Sequence, residues 1–413
     1  RSLKFLTFYR FLTPGARENC NPFSLVVYWK RCNLWVTFGK IQTWRKNNCM
    51  KIIDIRLYTL SVPLRVPFKT ALRTVNSVED VIVEILTDTG NKGYGEAPPT
   101  GPVTGDTTGS IIGAIRDHIA PKLKGMDIDD FEDLMLTLQS SIVKNTSAKA
   151  AVDMALWDLY GQLYRIPVYK LLGGSRKSIV TDITISVNEP EEMALDALNA
   201  KERGYDCLKI KVGKDANKDL ERLLAVRKAV GPDLCIRIDA NQGWTAREAV
   251  RLLNQMQEKG LDIEFVEQPV KAHDFEGMKY VTEHSYVPVL ADESVFSPED
   301  ALTIMQMRAA DLVNIKLMKC GGIYNALKIA SAAEVYGVEC MIGCMLEAKV
   351  SVNAAVHLAC AKQIITRIDL DGPVLCKIDP VHGGAVFQEK DIIVSDAPGL
   401  GISGIDGLQP IAW

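Results

Sequence analysis

Charged residues recur along this chain at a nearly fixed interval. Lys211, Asp239, Glu267, Asp292 and Lys316 are separated by 28, 28, 25 and 24 residues, and each stands near the end of a short apolar run. The run "CLKIKVG" (207–213) adds Lys209, which shares a face with Lys211 because strand side chains alternate. Two ammonium groups buried side by side need partners. Asp239, Glu267 and Asp292 offer three carboxylates, hard oxygen ligands of the kind that suits Mg2+ and leaves positions for water or substrate oxygens. One Mg2+ per subunit is therefore expected, with Mn2+ able to take its place. The absence of His and Cys at these positions argues against zinc. The competing account has each acid capping the following helix or pairing with a neighbouring lysine. Lys211 and Lys316 are candidates for acid and base, provided that burial or nearby positive charge, from Lys209 and the metal, lowers their pKa. Asn241, two residues after Asp239, is either a substrate or supporting contact or a turn residue.

Such residues need a scaffold that brings them to one height. From 179 onward, strand-like segments alternate with helical ones: 181–187, 207–213, 234–241, 263–269, 288–294, 312–318, 339–345 and 365–371 read as strands. Helical patterns fall at 190–203, 217–230, 245–259, 298–308, 322–336 and 348–362, while the fourth connection is short of a helix signal. Parallel strands need such crossovers, and eight units imply an α/β fold, a (β/α)8 TIM-type barrel with its chemistry at the C-terminal strand ends. An open doubly wound sheet is the alternative. In the barrel, Lys211 and Lys316 face each other across the mouth. Upstream, 51–95 alternates as strands, with helical patterns near 107–119, 128–142 and 147–164. The domains expected are a non-core extension (1–49), an α+β capping domain (50–175), the barrel (176–372) and a segment packing back on the cap (373–413). Loops 64–76 and 96–108, with Pro, Gly and polar residues, are expected to form a lid.

The first 49 residues differ from the rest. They hold nine of the 48 basic residues and one of the 51 acidic ones, so the net charge from position 50 onward is −11. An acidic body argues against nucleic acid as a partner. "FSLVVYW" is too short to span a bilayer, and no membrane partner is expected. Ten scattered cysteines without a CxxC pair point to reduced thiols and a cytoplasmic setting, with organellar targeting by 1–49 as the lesser alternative.

The order "KIK", "DAN", "EQP", "ADES" and "NIKLMKCGG" closely resembles the muconate-lactonising branch of the enolase superfamily, over about residues 51–405. "DLDGP" at strand eight, "FKTALRT" (68–74), "GEAPPT" (95–100) and "TISVN" (184–188) resemble its dipeptide epimerases. That resemblance implies an isomerase that inverts the α-carbon of a dipeptide's C-terminal residue, L-Ala-L-Glu to L-Ala-D-Glu in type, as in cell-wall peptide metabolism. It implies two-lysine proton transfer through a metal-stabilised ene-diolate. It gives Asp369 and Asp371 the free amino group of the substrate and Arg73 the acidic side chain. A homo-oligomer acting on a small-molecule dipeptide is expected. The alternatives are o-succinylbenzoate synthase, N-acylamino acid racemase or muconate cycloisomerase on the same scaffold, or a noncatalytic protein that has kept the barrel. The aspartate pair argues against the first three, since an N-acylated or amine-free substrate gives it nothing cationic to bind. The complete set of lysines and carboxylates argues against the last.

Overall fold

The computed structural model describes residues 23–30, 33–40, 49–69 and 74–412. Two compact units emerge, Arg1–Asn48 and Cys49–Trp413. In the first, β1 (Phe23–Lys30) and β2 (Asn33–Lys40) pair antiparallel.

The second unit opens with an antiparallel sheet of β3 (Ile52–Lys69), β4 (Thr74–Thr87) and β5 (Lys92–Ala97). The stretch 64–76, expected as a loop, is thus mostly strand: β3 and β4 run on as a ribbon, and 70–73 lie outside the described residues. The β-branched residues of "RVPF" and "TVNSV" extend the ladder past Pro63, where the register shifts. The long helix Thr146–Tyr164 packs on this sheet. Its approach demands glycine at 95, where a Cβ would stand 1.8 Å from the carbonyl oxygen of Ala151.

A short strand β6 (Ser178–Val180) precedes the barrel strands β7 (Ile183–Ile185), β8 (Cys207–Lys211), β9 (Cys235–Asp239), β10 (Ile263–Glu267), β11 (Val289–Ala291), β12 (Leu312–Ile315), β13 (Glu339–Gly343) and β14 (Ile365–Asp369). They pair in parallel in sequence order. Between the first and last, the ring is drawn together by Asp182 N donating to Ile368 O (3.3 Å), Leu370 N to Thr181 Oγ1 (2.8 Å) and Thr184 N to Asp371 Oδ2 (2.8 Å). This is the expected barrel with a separate capping sheet. One element differs. The fourth connection does hold a helix, Phe275–His284, started by Asp274, whose side chain accepts from Gly277 N. It is only ten residues long and buries only Met278 and Val281, so its apolar signal is brief.

The barrel interior is layered. Arg237, Glu264 and Arg367 form a charged floor joined by ion pairs. Phe265, Leu290, Leu312 and Met341 make an apolar plug. Above it stand the lysines and carboxylates. C-terminal residues return to the cap: Gln409 and Pro410 pair with β3, and Leu64 bridges to Cys376. Among the described residues, eight cysteines are free, and no helix is long and apolar enough to cross a membrane.

Candidate active site at the barrel mouth

Barrel register sets the height of each charged side chain. Lys211 on β8 pairs with Asp239 on β9, and Asp239 pairs with Glu267 on β10. Asp292 follows the last residue of β11, and Lys316 the last of β12. Asp369 ends β14, and Asp371 lies two residues beyond. Gly213 brings the loop after β8 against Ala240: its φ is +87°, and a Cβ there would lie 2.0 Å from the Ala240 carbonyl oxygen.

One pocket gathers Lys209, Lys211, Asn241, Asp292, Glu293, Lys316, Asp369 and Asp371, under an apolar cover that includes Phe68, Pro102, Val103 and Leu346. Asp239 and Glu267 lie directly beneath, both with 0 % exposure. Both expected lid segments therefore supply residues to the pocket wall. Arg73 lies outside the described residues. Lys211 and Lys316 stand four strands apart in the ring of eight.

The ammonium groups do not crowd one another, because each is gripped by carboxylates. Lys211 Nζ donates to Asp239 Oδ2 at 2.6 Å, and Lys316 Nζ to Asp292 Oδ2 at 2.7 Å. Lys209 Nζ lies 2.7 Å from Asp369 Oδ2, 2.7 Å from Glu267 Oε2 and 3.2 Å from Asp239 Oδ2. Lys209 is thus a hub for three acids rather than a positive neighbour pressing on Lys211.

The protein's own groups, before any metal charge is added, set the following balance. Burial alone would lower the pKa of Lys209 and Lys316, but the adjoining carboxylates outweigh it and hold both above the usual lysine range. The cause is the charge count. Lys209, Lys211, Lys316 and Lys319 face Asp239, Glu267, Asp292, Glu293, Asp369 and Asp371, all buried, which leaves the mouth short of two positive charges. The acids divide accordingly. Burial would raise Asp239, Asp292 and Asp369, yet the lysines beside them pull all three below the ordinary range. Burial, aided by Asp239, pushes Glu267 up to about 8. Burial with Asp292 beside it lifts Glu293 to about 7, and burial with Asp369 lifts Asp371 to about 6.

Do these residues suit a divalent cation? Their donor chemistry does: three buried hard carboxylates on consecutive strands, in a mouth lacking two positive charges. Glu293 Oε2 and Asn241 Oδ1 add two buried oxygens without a hydrogen-bond donor. The carboxylates of Asp239, Glu267 and Asp292 are turned to lysines rather than to one another. Among the described residues, the group of His, Cys, Asp or Glu atoms within mutual ligating reach lies elsewhere. Asn241 sits in the left-handed region (φ 43°), with its amide donating to Asp239 Oδ1 at 2.9 Å, so it serves both as turn residue and as support for that carboxylate.

Sequence reasoning missed two contacts. Lys319 is fully buried, and its Nζ lies 2.6 Å from Asp292 Oδ1 and donates to Asn314 O at 3.0 Å. Asn314 Nδ2 donates to Glu267 Oε1 at 2.9 Å. Lys319 could have been found, since it falls three residues after Lys316 in the one-turn helix Leu317–Cys320.

Residues 52–173 match the mandelate racemase / muconate lactonizing enzyme N-terminal domain, and residues 192–406 the enolase C-terminal domain-like family. The L-Ala-D/L-Glu epimerase of Clostridium acetobutylicum is 62 % identical over 357 residues, 86 % of this chain and 100 % of that protein. The chain belongs to the mandelate racemase / muconate lactonizing branch of the enolase superfamily. It is an isomerase, as its relatives are epimerases and racemases. Another relative, the Bacillus subtilis L-Ala-D/L-Glu epimerase, has a solved substrate-liganded complex. That structure superposes with a TM-score of 0.85 at 48 % identity, covering 86 % of this chain and 99 % of that one. The Enterococcus faecalis dipeptide epimerase, complexed with Mg and L-Leu-L-Tyr, gives a TM-score of 0.83 at 41 % identity, with 86 % and 100 % covered.

Proposed function

We propose that this superfamily member is a Mg2+-dependent dipeptide epimerase that inverts the α-carbon of the C-terminal residue, of the type L-Ala-L-Glu to L-Ala-D-Glu. The observation that carries the reading is the placement of Lys211 and Lys316 on opposite sides of one buried pocket. Full-length likeness to dipeptide epimerases supports it.

The chemical difficulty is a weakly acidic Cα–H beside a carboxylate that is already anionic. Asp239, Glu267 and Asp292 would hold Mg2+, which when bound supplies Lewis-acid charge against the second negative charge that develops. Lys211 and Lys316 carry the proton traffic. One removes the α-proton at its Nζ, and the other delivers a proton to the opposite face, which inverts the centre. Asp239 and Asp292 aim these two ammonium groups into the pocket. Phe68, Pro102 and Val103 keep bulk water from the reacting face.

Selectivity falls to the substrate's ends. The free ammonium is assigned to Asp369 and Asp371. Asp369 already has Lys209, whereas Asp371 accepts only backbone and hydroxyl bonds from Thr184 and stays strained by burial and by Asp369. An arriving ammonium relieves that strain. Arg73 is assigned the substrate's acidic side chain, which its planar fork can grip at two points.

A second reading comes from the N-succinyl-L-Arg/Lys racemase of Bacillus cereus, 37 % identical over 86 % of this chain and 95 % of that protein. An N-acylated substrate would leave the aspartate pair unpaired. The test is incubation of L-Ala-L-Glu and N-acetyl-Glu in D2O with Mg2+, scoring deuterium at the α-carbon, with an EDTA control. The dipeptide should exchange and epimerise, and the N-acetyl compound should be poorer by a factor on the order of 10^4. Equal kcat/KM for the two would put the racemase reading in its place.

A further inference from the structure

A second constellation lies at the opposite end of the barrel. Cys207 and Cys235 open β8 and β9 and face each other in register. Glu264 is the second residue of β10. One ligating atom from each of the three lies within 4.8 Å of the other two. The cysteines stand four residues before Lys211 and Asp239 on the same strand faces, roughly 13 Å below the mouth at ~3.3 Å per residue.

Strict alternation would turn Glu264 away from this face, since Glu267 points inward three residues later. A register shift between Ile263 and Val266 breaks the alternation. Glu264 Oε2 then accepts from Cys235 Sγ (3.2 Å) and Arg237 Nε (2.7 Å), while Oε1 accepts from Arg367 Nε (3.2 Å). Both cysteines are free, and Cys235 and Glu264 are partly exposed, so the floor opens to small solutes on their side.

We propose that Cys207, Cys235 and Glu264 form a binding site for a thiophilic divalent cation, Zn2+ or Cd2+. Two sulfurs and a carboxylate oxygen suit such ions, with water completing a four-coordinate set. Binding replaces two S–H bonds by two metal–sulfur bonds and sends two protons to solvent. The charge of the layer permits it. Asp182, Glu264 and Glu339 already face Arg237 and Arg367, and two new thiolates are matched by the two charges of the ion. Arg237 keeps Asp182, at 2.7 Å, when Glu264 turns a lone pair to the metal. The site is chemically unlike the candidate metal ligands of the mouth, Asp239, Glu267 and Asp292, which are all hard carboxylates. The ion would staple β8 to β9, the strands that carry Lys209, Lys211 and Asp239.

The test is titration of the reduced full-length protein with Cd2+ in saturating Mg2+. A thiolate-to-cadmium ultraviolet band should saturate at one Cd2+ per chain, with two protons released to a pH indicator. Cys207→Ser and Cys235→Ser should each lose most of the band, while Cys344→Ser, whose thiol lines the mouth, should keep it. Should either serine variant misfold by circular dichroism, peptide mapping of the wild-type chain decides. Bound Cd2+ must protect Cys207 and Cys235 from alkylation. Absence of the band at one equivalent, its survival in the serine variants, or equal alkylation with and without Cd2+ would overturn the site.

Discussion

Replacing either mouth lysine should abolish inversion yet leave exchange on one face, and the structure explains why the two effects separate. In Lys316→Ala, Asp292 loses a partner at 2.7 Å but keeps Lys319 at 2.6 Å. In Lys211→Ala, Asp239 keeps Lys209 at 3.2 Å. Neither carboxylate is stranded, so each variant should lose less than the ~3–5 kcal/mol of a buried pair stripped of its sole partner. Turnover is another matter. A positioned acid or base is worth about 10^2–10^4 in rate, or roughly 3–5 kcal/mol of barrier, and inversion needs both lysines. The assay is proton NMR in D2O on each epimer of the dipeptide separately. Lys211→Ala should exchange the α-proton of one epimer without inverting it, and Lys316→Ala that of the other. Turnover within tenfold of wild type, or the same epimer exchanged by both variants, would refute the two-face assignment. Thermal melts of both variants check that the fold has survived.

Lys319→Met should weaken Mn2+ binding, read by electron paramagnetic resonance, by about 10–100-fold, because Asp292 loses the buried contact that orients it; unchanged affinity would make Lys319 a purely structural residue. A chain beginning at Met50 should fold and turn over normally, since the Met50 amide donates to Asp127 Oδ1 and its carbonyl accepts from Ile128 N within the same compact unit; an insoluble product would show that residues 1–49 belong to the fold. Burial pushes the buried His357 down to about 3, so the unfolded chain, titrating near 6.5, takes up its proton first as pH falls. Stability contributed by neutral His357 is therefore full above pH 6.5 and is lost between 6.5 and about 3, at up to ~1.4 kcal/mol per pH unit. Urea titrations at pH 7 and pH 4.5 should show the slope, and His357→Asn, which can still accept from Tyr169 N, should flatten it.

Much of the site was legible along the chain because a barrel converts sequence interval into height. Every β/α unit returns the backbone to the mouth after roughly the same number of residues. Charges spaced by 24 to 28 residues must then share a rim, and side-chain alternation sets their common face. Lys209, Lys211, Asp239, Glu267, Asp292, Lys316, Asp369 and Asp371 all reach the mouth for that reason. What the interval could not carry was partnership across strands distant in sequence. Lys209 joins Asp369, 160 residues away, only because the first and last strands close the ring. The upward shift of Lys209 depends first on that closure, which brings Asp369 to it, whereas Lys316 owes its shift to Asp292 and Glu267 from nearby strands. The helix at 275–284 was hidden because it is only ten residues long and buries only Met278 and Val281, too short an apolar stripe to stand out along the chain. Glu264 was hidden for a local reason, a register shift that alternation cannot anticipate. Sequence determined which chemistry reaches the mouth; tertiary structure decided which charges touch, because contact depends on ring closure and strand register rather than on spacing.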